Sequence, residues 1–543
     1  MAGFRDVPVN VDVLGAEARR TMPAIMHAIV KRPDHCRTDM SFNKLLYAAK
    51  QLTRTKAIDV GLPEFFFASL STNTIVYKAL TRAQDLGRFY LDLQDPRYAT
   101  RFALFHRRFS TNTRTSWDKA QPFRLIAHNG EINTIAGNRS WGFSREKSLG
   151  LRANELLTHH GISDTGSLNE MVEALLYRSS IPRVEDVMAI LVPPAGMPHN
   201  FYRFWSRAME PWDGPACVTF TDGLSVGARL DRNGFRPCRW ARTPDHFFLA
   251  SEAGAFVLDE SIIESKGRLA AGSGVKVNLE TGAIDFTDPG ASEENHDAAY
   301  DARLIPLHTL PVHPTPPAVA TQRLFGWTQE DVERLLVPMT ATGKEPIGSM
   351  GDTARPAILS QEVRSFFDYF HQDFAQVTNP PVDYLRETTV TDLGTTLGRK
   401  PNPFSPKELI PPPVALQLDS PIISLGGMAH LASFGAPGSP DKRVTVVTLD
   451  TTFPAHHGVV GFRFRLDEIR KQAVTAVRDG AQILVLSDAH ATPAMTPVTM
   501  GPAKSPSTPK MAESRATTRK DCHTVRFTAS RLPLPLWFDT IVA

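Results

Sequence analysis

Cysteine is scarce in this sequence, and long apolar runs are missing from it. The 543 residues include only four cysteines, Cys36, Cys217, Cys238 and Cys522, and no two of them have C-x-x-C spacing. This scarcity excludes a disulfide framework and gives no support to a zinc site. No stretch approaches the roughly 18 consecutive apolar residues of a membrane-spanning helix, and the first residues lack the apolar segment of a signal peptide. We therefore predict a protein of the reducing cytoplasm with no membrane partner.

An excess of charge of either sign is also lacking. Lysine and arginine total 60, aspartate and glutamate total 57, and the formal net charge is +3. Nucleic acids attract strongly basic proteins, so this balance predicts no nucleic-acid partner. The hydrophobic content of 42% is that of an ordinary globular protein. A chain of this length is expected to form more than one domain, each of roughly 100–200 residues.

Familiar catalytic and metal-binding patterns do not stand out either. There is no evident Ser-His-Asp or G-x-S-x-G arrangement. The paired histidines at 159–160 and 456–457 have no third ligand at metal spacing, so we predict no metal site. His106 lies beside two arginines and could act as a base, but we interpret it as a partly buried strand residue.

The patterns that are present predict a mixed α/β protein. Residues 216–257 alternate like an antiparallel meander, with Asp-Gly at 222–223 and Asn-Gly at 233–234 as hairpin turns. Residues 65–77 also resemble a β-hairpin. Apolar strands over 443–449 and 483–488 flank a helix that ends at a glycine, which is typical of a βαβ unit with buried parallel strands.

A shift in composition suggests where the domains end. Residues 291–320 are polar and then proline-rich, which indicates a linker. We predict one domain over 1–290 and a second over 321–490. Proline, serine, threonine and lysine dominate 491–543, and we assign this tail no fold.

One stretch has the chemistry of a small amino-acid site. Residues 108–113 read RFSTNT, and residues 127–133 read AHNGEIN. Arg108 can take a carboxylate with two parallel hydrogen bonds. Gly130 lets the main chain approach a ligand closely, and Asn129 with a main-chain N–H can hold a developing oxyanion.

A second acidic element follows this stretch. Ser167 and Glu170 have the spacing of a capping box, which predicts a helix that starts near Ser167. Asp164 then lies in the loop just before that helix. On this pattern alone, a loop aspartate that solvates a helix end is the ordinary interpretation.

Several motifs together resemble a known family. The sequence is similar to the glutamine amidotransferase domain and central domain of the glutamate synthase large subunit over roughly residues 4–490. The motifs that carry the resemblance are RFSTNT at 108–113, AHNGEINT at 127–134, GNR at 137–139, EPWDGP at 210–215, LDRNGFRP at 230–237, TGKEPIGSMG at 342–351 and FAQVTNPP at 374–381.

The resemblance implies a fold, an activity and residue roles. The fold would be an N-terminal-nucleophile αββα sandwich, here incomplete, followed by an α/β central domain. The family hydrolyses L-glutamine with an N-terminal Cys thiolate, and the ammonia is used at an FMN site for reductive amination of 2-oxoglutarate to L-glutamate. Arg108 would bind the glutamine α-carboxylate beside Thr111 and Asn112, Asn129 and Gly130 would form the oxyanion hole, and Asp164 would bind the α-ammonium.

The sequence also departs from the family. The family's mature chain begins with the catalytic cysteine, whereas this one begins MAGFRD and its first residues resemble a stretch well inside the amidotransferase domain. The sequence also lacks the FMN domain and the cysteines of the iron–sulfur cluster. We therefore expect no cofactor within this chain, an inactive fragment truncated at both ends, and a small subunit or synthase domain as partner. The alternative is a non-catalytic glutamine-binding or scaffold module.

Overall fold

The computed structural model gives a defined placement to most of the chain. It describes residues 3–108, 114–146, 157, 159, 161–196, 199–286, 288, 303–313, 318–344, 346, 357–359, 382–405, 409 and 412–500. The chain divides into two compact units. The first comprises Met1–Ala302, Pro381–Asp392 and Lys400–Pro413, and the second comprises Arg303–Pro380, Leu393–Arg399 and Val414–Ala543.

The first unit contains strands β1 to β10 and helices α1 to α7. The strands are β1 Gly3–Asp6, β2 Met26–Ile29, β3 Ile126–Gly130, β4 Ala216–Thr221, β5 Ser225–Leu230, β6 Arg239–Arg242, β7 Phe247–Ala250, β8 Ser265–Arg268, β9 Gly274–Asn278 and β10 Ile284–Asp285. The helices are α1 Ala16–Arg20, α2 Asp39–Asp59, α3 Leu86–Phe89, α4 Ile135–Arg145, α5 Asp164–Arg178, α6 Val184–Leu191 and α7 Asn200–Trp205, with a further helix at Tyr384–Val390.

A five-stranded antiparallel sheet with the order β10-β9-β5-β4-β3 forms the centre of this unit. The predicted hairpin at Asp222-Gly223 is confirmed, because β4 and β5 pair directly across it. The Asp222 carboxylate accepts hydrogen bonds from the main-chain N–H groups of Leu224 and Ser225, which fixes the turn locally.

A second antiparallel sheet, with the order β7-β6-β8, packs on one face of the first. The predicted meander is wrong at Asn233-Gly234, because β5 pairs with β4 and β9 whereas β6 pairs with β7 and β8. The chain crosses here from one sheet to the other. The buried Asp231 carboxylate holds the crossing by accepting hydrogen bonds from four main-chain N–H groups, those of Ala216, Asn233, Phe235 and Arg236.

Helices cover the opposite face of the central sheet. Helix α5 is buried around its whole circumference from Thr165 to Tyr177, and it packs with α2, α6 and β3. A helix layer and two stacked sheets confirm the predicted α/β class. The predicted helix start is wrong, since Ser163 is the N-cap and its hydroxyl accepts from the Gly166 N–H. Ser167 lies inside the helix, where it accepts a hydrogen bond from Arg139.

The predicted hairpin at 65–77 is also wrong, since this segment forms no strand. Its main-chain amides donate to side chains instead of to a neighbouring strand. The N–H of Val76 donates to the Ser69 hydroxyl at 3.1 Å, and the N–H of Thr72 donates to Asn43 Oδ1 at 3.1 Å. Polar side chains therefore supply the hydrogen bonds that a sheet would have supplied.

The second unit contains strands β11 to β17 and helices α8 to α12. The strands are β11 Leu304–Pro306, β12 Thr395–Gly398, β13 Ala415–Leu418, β14 Val446–Asp450, β15 Thr452–Pro454, β16 Ile483–Ser487 and β17 Met495–Pro497. The helices are α8 Val319–Leu324, α9 Gln329–Asp331, α10 Val337–Thr342, α11 Leu425–Ser433 and α12 Gly458–Arg478, with a π-helical turn at Val332–Leu336 between α9 and α10.

The predicted βαβ unit is confirmed in the second unit. Strands β14 and β16 are parallel and are connected through α12, which ends just before Gly480. The strands bury apolar side chains on both faces, with Val446 in one cluster and Leu449 in another. The chain stays folded just beyond residue 490, because β17 pairs with β15.

Buried charges connect α2 to α5 in the first unit. The Glu173 carboxylate is fully buried and accepts a hydrogen bond from Lys50 Nζ at 2.8 Å, with Arg124 Nη1 at 3.5 Å. Glu170 lies one turn away and pairs with Arg54 Nη1 at 2.6 Å and with Lys50 Nζ at 3.3 Å. Burial alone would raise the pKa of Glu170, but the Lys50 and Arg54 cations outweigh it and hold that pKa below its ordinary value.

Replacement of Glu173 by glutamine should destabilise the first unit strongly. Glu173→Gln keeps the size of the side chain but removes the carboxylate beside Arg124 and leaves Lys50 to share Glu170 with Arg54. Breaking buried ion pairs in this way costs roughly 3–5 kcal/mol. Urea unfolding followed by tryptophan fluorescence measures this loss. Glu17→Gln is the control, because Glu17 forms an exposed pair with Arg20 and its loss should leave the unfolding midpoint unchanged. Equal midpoints for the two variants would contradict the assigned role.

Candidate functional site

Two of the predicted site residues, Asn129 and Gly130, lie at the carboxyl end of β3. Alternation along the strand directs Ile126 and His128 toward the helices, where Ile126 joins the main core and the His128 ring contacts Thr165 of α5. Asn129 points to the opposite face. There its Nδ2 donates to the Ser251 hydroxyl at 2.7 Å, just after β7. The second sheet therefore sets the orientation of the Asn129 amide.

Gly130 occupies a position that only glycine can fill. Its φ is +132°, and an added Cβ would lie 1.8 Å from the Pro215 carbonyl oxygen. The next residue, Glu131, donates its N–H to that same oxygen at 3.0 Å. Gly214 has the matching constraint, since its Cβ would lie 2.0 Å from the Glu131 oxygen. Two main-chain segments are thus in direct contact at the end of β3.

Asp164 is the first residue of α5 rather than a loop residue before it. Its Oδ2 accepts a hydrogen bond from the Ile132 N–H at 3.2 Å, and its Oδ1 accepts one from the Thr165 N–H at 2.7 Å. A carboxylate at this position is favoured by the unpaired N–H groups and the dipole of the helix. The hydrogen bond to Ile132 brings Asp164 next to the turn that follows Asn129 and Gly130.

Arg139 of α4 also contributes to this arrangement, although the sequence showed it only as part of the GNR motif. Its Nη2 donates to the Ile162 carbonyl at 2.7 Å and its Nε donates to the Ser167 hydroxyl at 3.0 Å, so it holds both sides of the α5 start. Burial lowers the pKa of Arg139, and the Asp164 carboxylate opposes that shift.

The other predicted residues lie on the segment before β3. Arg108 is exposed, and its main-chain N–H donates to His106 Nδ1 at 3.3 Å. The His106 ring contacts the main chain of His128, which places this segment alongside β3. The predicted strand around His106 is not formed. Thr111 and Asn112 lie outside the described residues.

None of the cysteines within the described ranges is available as a nucleophile. Cys36, Cys217 and Cys238 are all buried free thiols. A hydrogen bond with Cys238, together with burial, raises the pKa of Cys217 well above its ordinary value, so this thiol stays protonated. Cys522 lies outside the part of the chain that the structure describes.

Two family models match this chain. Residues 1–298 match the model of class-II glutamine amidotransferases, and residues 320–529 match the model of the glutamate synthase central domain. The first match covers more than half of the chain, which therefore belongs to the class-II glutamine amidotransferases.

No helix in the described part of the chain combines the length and apolar composition needed to cross a membrane.

Several curated relatives of this chain are glutamate synthases. Ferredoxin-dependent glutamate synthase 2 of Arabidopsis thaliana is 37% identical over 527 residues, which are 91% of this chain and 31% of that protein. The NADPH-type large chain of Azospirillum brasilense is 35% identical over 521 residues, 91% of this chain and 34% of that protein. The Bacillus subtilis large chain is 33% identical over 519 residues, 91% of this chain and 33% of that protein. The chain thus spans about a third of the length of these relatives.

Replacement of Gly130 by alanine should disrupt the end of β3. Positive φ costs an alanine roughly 1–3 kcal/mol, and overlap with the Pro215 oxygen adds roughly another 1–3 kcal/mol. Gly137→Ala is the matched control, because Gly137 lies within α4 with open space around its Cα. That change should stabilise the protein by about 0.5–1 kcal/mol. Urea unfolding of both variants tests this, and a Gly130→Ala variant as stable as the wild type would contradict the geometry.

Proposed function

We propose that this chain supplies the glutamine-binding part of a glutamate synthase. The longer relatives are named for that activity, in which glutamine provides the ammonia that aminates 2-oxoglutarate reductively to L-glutamate. One observation carries the proposal, namely the hydrogen bond from the Ile132 N–H to the Asp164 carboxylate. It joins an anionic group to the turn that follows Asn129 and Gly130, and an amino acid with a side-chain amide needs both kinds of group.

Each part of glutamine has a complementary group in this proposal. Asp164 binds the α-ammonium, and Arg108 binds the α-carboxylate with Thr111 and Asn112 beside it. The Asn129 amide and the main-chain N–H of Gly130 stabilise the oxyanion that develops at the side-chain amide. The Asn129 side chain carries two N–H groups and donates one to Ser251, so the other remains for the substrate.

The catalytic step requires a nucleophile that this chain does not present among its described residues. The family uses an N-terminal Cys thiolate, whereas Cys36, Cys217 and Cys238 are buried. We therefore propose that this chain, as it stands, binds L-glutamine without hydrolysing it. The second candidate function is a non-catalytic glutamine-binding or scaffold module derived from the amidotransferase domain rather than part of a synthase, and the same buried thiols favour it.

Cofactors and partners follow from the family and not from this chain's own residues. FMN and an iron–sulfur cluster serve the synthase reaction in the family. Among the residues described, no group of three or more His, Cys, Asp or Glu side chains could hold a metal ion, so the donor set does not fit a cluster. We propose a synthase domain or small subunit as partner and, because the described cysteines are free thiols, a reducing compartment such as the cytoplasm.

Titration calorimetry with L-glutamine tests the binding proposal. Asp164→Asn and Arg108→Ala should each weaken binding about tenfold to a hundredfold, because each removes hydrogen bonds to a charged group of the ligand. Arg107→Ala is the matched control, since this neighbouring exposed arginine has no assigned role, and its affinity should equal that of the wild type. Equal effects of Arg107→Ala and Arg108→Ala would contradict the role of Arg108.

An assay of ammonia release separates binding from catalysis. The chain should bind L-glutamine but release no ammonia above the background of buffer alone, because its described thiols are buried. Ammonia release that Arg108→Ala abolishes would show hydrolysis at the proposed site and would overturn the expectation of an inactive chain.

A further inference from the structure

The His128 side chain is buried beside Asn129 and Gly130, and the proposed binding of glutamine assigns it no role. Its side chain is 3% exposed. Its main-chain N–H donates to Gln121 Oε1 at 2.7 Å, and its carbonyl accepts from Gln121 Nε2 at 2.9 Å. Gln121 thus pairs with both the main-chain N–H and the carbonyl of His128 on the edge strand β3. The position of the imidazole is therefore fixed by its own main chain.

The His128 ring continues into a chain of hydrogen bonds that ends at Asp164. Its Nδ1 lies 3.1 Å from the Thr165 hydroxyl, and that hydroxyl lies 3.3 Å from Asp164 Oδ1. A hydroxyl has one proton to donate. When Thr165 donates it to the carboxylate, Nδ1 of His128 must carry the proton of the other hydrogen bond.

Burial keeps the His128 ring neutral, so that the proton on Nδ1 is the one N–H proton of the ring. It lowers the pKa of His128 to about 4, against the opposing effect of the Asp164 carboxylate. Nε2 has no hydrogen-bond partner within the described residues, so the only polar contact of the ring is the one to Thr165. The ring therefore serves as a fixed donor rather than as a general base.

We propose that His128 and Thr165 are positioning residues that aim the Asp164 carboxylate at the α-ammonium of the ligand. A carboxylate has about four acceptor sites. Oδ1 accepts from the N–H and the hydroxyl of Thr165, and Oδ2 accepts from the Ile132 N–H. One site on Oδ2 then remains, at the turn after Gly130. This inference rests on the proposed function, since the ammonium is that of glutamine.

Two ligands that differ only in the α-amino group test the proposal by calorimetry. Thr165→Val should weaken L-glutamine binding about fivefold to tenfold, since one hydrogen bond to the carboxylate is lost. Binding of glutaramate, which lacks the α-amino group, should be the same in the variant and the wild type. Thr165→Ser retains the hydroxyl and should restore the affinity for L-glutamine. Equal weakening of both ligands, or of neither, would overturn the proposal.

Hydrogen exchange of the Ile132 amide tests the same chain of contacts without any ligand. Exchange should rise about fivefold in Thr165→Val and in His128→Leu, because the carboxylate that accepts this N–H is released. His128→Asn places an amide N–H near the position of Nδ1 and should restore protection. Unchanged exchange in Thr165→Val would overturn the proposal. If exchange responds as expected but the wild type does not bind L-glutamine, the proposed function fails while the positioning of Asp164 stands.

Discussion

The first unit depends on a pair of carboxylates that α5 buries in its middle. Glu173 is completely buried, and Glu170 nearly so. They are compensated by Lys50 and Arg54 from α2 and by Arg124 from the segment before β3. Burial of such charges is costly unless every partner is in place. The ion pairs therefore favour a single arrangement of α2, α5 and the strand that leads into the site.

That constraint fixes the geometry of the site. With α5 locked at its centre, its first residue, Asp164, lies where it can accept the Ile132 N–H. Arg139 holds the start of the helix from a second side, through Ile162 and Ser167. The close main-chain contact between Gly130 and Pro215 fixes the turn after β3. The candidate glutamine site is thus built from rigid elements, which is what recognition of a small charged ligand requires.

The motifs of the site resemble those of a catalytic family, but the three described thiols are buried. Cys217 lies directly opposite Asn129 in the β3–β4 ladder, yet its side chain belongs to the core between the two sheets. Its position opposite the candidate oxyanion group does not make it reactive, because burial and Cys238 keep the thiol protonated. Membership of the amidotransferase family therefore does not by itself make any of the described cysteines a nucleophile.

The sequence by itself determined the α/β class, the Asp-Gly hairpin, the βαβ unit and the order of the motifs, because each depends on local turn chemistry or on the period of apolar residues. Tertiary structure decided the rest. Asn233-Gly234 has the same local signal as a hairpin, but Asp231 binds the amides there and sends the chain to another sheet. Ser163 and Ser167 both suit a cap, and only burial of Ser167 against Arg139 selects between them. The link from His128 through Thr165 to Asp164 joins residues far apart in sequence, and only the folded chain brings such side chains together.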